Sequence, residues 1–211
     1  MSDEHEFWLL DLDGTLVDVE DTYIHQVCRE VGDRLGVSIS NRQAEHLWYG
    51  FDDTREQALA EAGLDSETFW ATFHNVDEPG ARAAATHIYP DAPEFVAALD
   101  TPTGLVTHCQ EYLTGPVLER LGIGDWFDTV VCCDEETGWK PDPRPLELAM
   151  EQLGVAGKGG PGVMVGDDPR DVEAAHNAGI DAVHVDRHDR ERLGGGVKSG
   201  RRVTALTDLL R

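Results

Sequence analysis

Short apolar runs recur along the chain at Phe7–Leu10 and at residues 104–107, 129–133, 162–165 and 182–185, each separated from the next by helix-length sequence. Runs of this length read as buried strands. From residue 104 onward strand and helix patterns alternate, with helices expected over Glu111–Leu121, 144–153 and 171–178. That alternation predicts an α/β fold built on a doubly wound parallel sheet. A last apolar run around Val203 and a helix over 204–210 close the pattern, and the glycine- and arginine-rich stretch 189–202 reads as a solvent loop without chemistry.

The texture differs between the first run and Tyr89. Amphipathic helical patterns cover Asp21–Leu35, Asn41–Tyr49, 54–62 and 66–85, punctuated by Gly36, Gly50 and Gly63. The expected organisation is a core of residues 1–17 and 88–211 with a helical cap of residues 18–87 inserted after the first strand. Such a module, beside the carboxyl end of the sheet, is placed to act as a lid.

Charge narrows the classes of partner. The 211 residues carry 41 Asp and Glu against 17 Lys and Arg, a formal net charge of −24, and only Lys140, Lys158 and Lys198 are lysine. The mean field repels nucleic acid and anionic membrane surfaces, so neither is expected as a partner. The same excess with so little lysine suggests a halophilic protein, kept soluble in concentrated salt where screening weakens self-repulsion. Cys28, Cys109, Cys132 and Cys133 form neither a disulfide scaffold nor a C-x-x-C pair. The start Met1-Ser2-Asp3-Glu4-His5 lacks signal-peptide character and no run of 18 apolar residues occurs, so a cytoplasmic protein, monomer or homodimer, is expected.

The chemistry gathers where apolar runs end. Asp11 and Asp13 follow the first run two residues apart, leave the strand on the same side, and are followed by Gly14, where the backbone can turn sharply. Two carboxylates aimed at one point resist joint ionisation without a cation between them, and an all-oxygen ligand set points to Mg²⁺. Thr107 ends the second core run, Lys140 lies in a loop stiffened by Pro141 and Pro143, and Asp167 ends the fourth run with Asp171 four residues on. Asp168 reads as a helix N-terminal residue. In a parallel sheet these strand ends are neighbours, so Asp11, Asp13, Thr107, Lys140 and Asp167 should converge.

The pieces Asp11-Leu12-Asp13-Gly14-Thr15-Leu16-Val17-Asp18, Val106-Thr107, Lys140-Pro141 and Gly166-Asp167-Asp168-Pro169-Arg170-Asp171 together resemble the haloacid dehalogenase superfamily over almost the whole chain. The resemblance implies a Rossmann-like catalytic core with a helical cap and a Mg²⁺-dependent phosphatase acting on a small phosphorylated metabolite. By it Asp11 is the nucleophile that becomes an aspartyl-phosphate, and Asp13 is the acid that protonates the leaving oxygen and then activates water. The metal is implied at Asp11, the Asp13 backbone carbonyl and Asp167, with Asp171 in support, while Thr107 and Lys140 grip the transferring phosphoryl group. Family members usually carry Asn after the Thr of the second motif. Here His108 follows, and its backbone amide remains available to phosphate. The stretch Phe51-Asp52-Asp53-Thr54-Arg55-Glu56 resembles the cap segment in which related phosphatases and mutases place an anion-binding arginine, which makes Arg55 a candidate for substrate binding.

Three readings stay open on the sequence. The first is hydrolysis of phosphoglycolate or a sugar phosphate. The second is a β-phosphoglucomutase-like isomerase; such members place a cap histidine near the position of Tyr23, although His25 is close by. The third is a non-catalytic phospho-acceptor module, which the large helical insertion and the placement of both acids after one strand disfavour.

Overall fold

The computed structural model describes residues 5–50, 52–156, 161–187 and 200–210. Six parallel strands form the central sheet: β1 (Phe7–Leu10), β4 (Thr103–Thr107), β5 (Thr129–Cys132), β6 (Gly162–Gly166), β7 (Asp181–Val185) and β8 (Arg201–Val203), in the order β5-β4-β1-β6-β7-β8. The expected doubly wound α/β sheet is present. β1 lies between β4 and β6, in register Leu10 with Leu105 and with Val165. Alternation along β1 divides the core: Trp8 and Leu10 pack with Phe95, Val117 and Leu206 on one face, and Phe7 and Leu9 with Leu146, Ala149, Val172 and Ala175 on the other. The first face is covered by α6 (Ala92–Ala97) and α7 (Glu111–Leu121), the second by α8 (Arg144–Gln152) and α9 (Pro169–Ala178).

Between β1 and β4 run α1 (Asp21–Leu35), α2 (Asn41–Tyr49), α3 (Asp52–Ala62), α4 (Ser66–Val76) and α5 (Pro79–Ala84). These helices bury their own apolar cluster, centred on Ile24, Val31, Leu47, Leu59, Phe69 and Phe73. Two departures from the expected pattern occur here. The helix expected over 66–85 breaks into α4 and α5, because Glu78 caps the N–H groups of Gly80 and Ala81 and Pro79 can only begin a helix. A two-stranded antiparallel ribbon, β2 (Val17–Val19) with β3 (Thr86–Ile88), joins the helices to the sheet, pairing Val17 with Ile88. The expected boundaries at residues 17/18 and 87/88 therefore cut through this ribbon.

Smaller corrections concern the C-terminal part. The helix expected over 204–210 is a 3₁₀ turn over Leu206–Leu210, and the end of the expected loop 189–202 contains β8, whose Arg201 pairs with Val183. Residues 189–199 of that loop, like residues Met1 to Glu4, lie outside the described residues. No helix among the described residues is long and apolar enough to cross a membrane.

Candidate active site

The carboxyl ends of β1, β4 and β6 and the loop after β5 open into one cleft of about 130 Å³, lined among others by Asp11, Asp13, Thr107, Lys140, Asp167 and Arg55. All the strand-end residues singled out in the sequence, apart from Asp171, which lies just beneath, thus line a single space. Asp11 continues the β1 ladder, its N–H donating to Val165 O at 2.9 Å. Gly14, at φ +77°, turns the chain directly against the next strand end. A Cβ there would lie 2.4 Å from Asp167 Oδ2, so only glycine lets β1 and β6 present their acids together. Thr15 Oγ1 donates to Asp167 Oδ1 at 3.3 Å. Gly166 serves the same purpose for Asp171, whose carboxylate occupies the place of the missing Cβ.

Lys140 is the hub. Only 3% exposed, it donates from Nζ to Asp11 Oδ1 at 2.8 Å and Val106 O at 3.0 Å, and Asp171 Oδ1 lies 2.5 Å away. Burial opposes its charge, but Asp11 and Asp171 outweigh that and hold the ammonium above its ordinary pKa. Burial in turn lifts the Asp11 carboxyl from 3.8 to about 7; Lys140 works against that rise, and the neighbouring carboxylate of Asp171 adds to it. Burial also raises the Asp171 carboxyl. Ligand atoms of Asp11, Asp167 and Asp171 lie within 4.8 Å of one another, an oxygen set that fits a hard divalent cation. Asp171 thus stands in the same acidic group as Asp11 and Asp167, where the resemblance implies a supporting place. Asp13 enters that group with no side-chain oxygen; its carboxylate turns to Arg82 instead.

Around this cluster the wall is formed by groups with their own anchors. Thr107 Oγ1 accepts from the Cys109 N–H at 3.0 Å. His108 is packed edge-on to Trp139 with Nε2 lacking a partner among the described residues; burial, with Lys140 and Arg170 adding to it, pushes its pKa down to about 2, so the imidazole is neutral. Asp168 caps α9 in a reciprocal box with Asp171, as expected of a helix start, and also pairs with Arg170. Burial resists ionisation of Asp168, but Arg170 overrides it and carries the carboxyl down to about 2. Opposite, Arg55 projects from α3 beside Trp48 and Tyr49 of α2, tied by Nε to Leu47 O at 3.0 Å and by Nη2 to Trp48 O at 3.2 Å, with its guanidinium over Trp70. His25 pairs with Glu45 at 3.3 Å and Tyr23 donates to Asp77 at 2.6 Å; neither lines the cleft.

Residues 8–185 match the model of the haloacid dehalogenase-like hydrolase family. The chain belongs to that family. It is 30% identical over 199 residues to the phosphoglycolate phosphatase of Nitrosococcus oceani, covering 87% of this chain and 84% of that one. It is 28% identical over 194 residues to the N-acetylmuramic acid 6-phosphate phosphatase of Pseudomonas aeruginosa, covering 84% and 80%. Among solved structures, a haloacid dehalogenase-like hydrolase from Streptococcus pneumoniae superposes with a TM-score of 0.77 at 17% identity, covering 99% of this chain and 98% of that one, a likeness of fold. Within the haloacid dehalogenase-like hydrolases the protein is an enzyme of the phosphoric monoester hydrolase type. Trp48, Tyr49, Cys109 and Arg170 are the cleft residues that sequence reasoning passed over, and it also passed over Arg82, which is buried behind Asp13. Only Arg170, inside the fourth motif, carried a local signal.

Proposed function

We propose that this hydrolase is a Mg²⁺-dependent phosphatase of a small phosphate monoester, phosphoglycolate or a sugar phosphate, working through an aspartyl-phosphate on Asp11. The observation that carries the reading is Lys140 Nζ, fully buried and shared between Asp11 and Asp171 at the mouth of β1. A fixed cation in that place neutralises a nucleophilic carboxylate and an incoming phosphoryl group together. Asp11 attacks phosphorus, the bond to the ester oxygen breaks, and Asp13 delivers a proton to that oxygen. Water then gives its proton to Asp13 and attacks phosphorus, the Asp11–phosphorus bond breaks, and inorganic phosphate leaves. Thr107 and Lys140 bind the phosphoryl oxygens, joined by the His108 backbone amide, while Arg55 faces the rest of the substrate. Asp11, Asp167 and the Asp13 carbonyl, with Asp171 beside them, would hold Mg²⁺, which when bound offsets the negative charge gathered between nucleophile and phosphoryl group.

In this reading residues 18–87 are a cap over a core of residues 1–17 and 88–211, supported by the separate apolar cluster of the helices. The placement of His25 and Tyr23 away from the cleft supports hydrolysis over return of the phosphoryl group to a sugar. The acid excess supports a protein that works in concentrated salt. The deciding experiment is phosphate release from a panel of small esters with and without Mg²⁺, with Asp11→Asn as control. Metal-dependent release abolished by the substitution is expected. Release that survives Asp11→Asn, or none from any ester, would refute the assignment.

A further inference from the structure

Arg82 heads the fully buried side chains, at 2% exposure. It lies on α5, where the chain returns from the helices towards the sheet. Its Nη2 donates to Asp13 Oδ1 at 2.6 Å, and its guanidinium carbon sits 4.7 Å from the centre of a Trp48 ring. Nε and Nη1 are buried without a partner among the described residues. Burying a guanidinium is costly unless it is well paired, and each idle buried donor adds to that cost. A pair selected for stability would use the bidentate fork that arginine offers a carboxylate. This one binds a single oxygen of Asp13, whose side chain keeps 29% exposure and lines the cleft.

We propose that Arg82 is a positioning residue for the reaction: it pins one oxygen of Asp13 so that the other faces the ester oxygen of the substrate. Because the same guanidinium stacks on Trp48 of α2, the orientation of the acid is tied to the helical wall of the cleft. Arg82 itself does not touch substrate. The inference rests on the role assigned to Asp13 above and adds what keeps that carboxyl aimed.

The test compares kcat/KM for two esters: p-nitrophenyl phosphate, whose leaving group departs unprotonated, and an alkyl phosphate, whose alkoxide needs a proton. This parameter reports the steps through transfer of the phosphoryl group to Asp11. In Arg82→Gln the alkyl ester is expected to lose about 100-fold, within the range supplied by a general acid, and the aryl ester no more than about threefold. Arg82→Lys should show a smaller loss with the same selectivity, and Arg82→Gln added to Asp13→Asn should slow the alkyl ester no further. Equal losses on both esters, or additive losses in the double variant, would overturn the proposal. Thermal unfolding reports whether each variant is folded; if Arg82→Gln is not, Arg82→Lys decides by the same ratio. A wild-type enzyme inactive on both esters would instead refute the assigned reaction, and the proposal with it.

Discussion

Replacing Lys140 by Met removes one charge from the most buried part of the site while keeping most of the stem volume. The ammonium donates to Asp11 Oδ1 at 2.8 Å and to Val106 O at 3.0 Å, and forms an ion pair with Asp171 Oδ1 at 2.5 Å. Without it two almost fully buried carboxylates face each other. Breaking a buried pair by removing one partner costs about 3–5 kcal/mol. For a chain of this length that is a fall in Tm of about 6–20 °C. The loss depends on pH with a defined sign. In the metal-free wild type the folded-state pKa of Asp11, about 7, exceeds its unfolded value of 3.8, so the native state holds the extra proton and stability declines as pH rises from about 4 to about 7. Removing Lys140 takes away the main influence lowering that pKa, so the decline should extend above pH 7. The variant should therefore differ most from wild type at about pH 8 and least near pH 5, and its Tm at pH 8 should gain more from millimolar Mg²⁺ than that of wild type. Urea and thermal unfolding at both pH values, in EDTA and in Mg²⁺, measure this. A Lys140→Met protein within about 1 kcal/mol of wild type at pH 8 in EDTA would refute the claim that the ammonium compensates the cluster.

Three further outcomes follow from the geometry. Gly14→Ala places a Cβ 2.4 Å from Asp167 Oδ2 at φ +77°, so the carboxylate must move; the Mg²⁺ concentration for half-maximal activity should rise about 10- to 100-fold, read by metal titration. Asp168→Ala removes the cap of α9 and the anchor of Arg170 and should cost about 0.5–2 kcal/mol in urea unfolding. With a net charge of −24, the protein should melt at higher temperature in molar KCl, where the Debye length is about 3 Å, than at low salt; the reverse order would refute the halophilic reading.

Local patterning along the chain specifies the sheet and the meeting of its chemistry. Runs such as Phe7–Leu10 are apolar because both faces of a parallel strand are buried, and the ends of neighbouring parallel strands share one edge. That rule alone brings Asp11, Thr107, Lys140 and Asp167 to one cleft across as many as 156 positions of chain. β2 and β3, at three residues each, are too short to show an alternating pattern, and their pairing depends on the ribbon closing under the helices. Arg82 stands alone in Gly80-Ala81-Arg82-Ala83-Ala84-Ala85, where nothing local separates it from a solvated helix charge. Its meeting with Asp13, 69 residues away, is decided by how α5 docks against α7. The same holds for the neutral His108 against Trp139, for Asp171 beneath Gly166 and for Trp48 in the cleft wall. Periodicity and strand ends are written locally because burial repeats with the backbone's own period. Which side chains then fill the remaining space, and which of them lose water, is fixed only when distant elements pack.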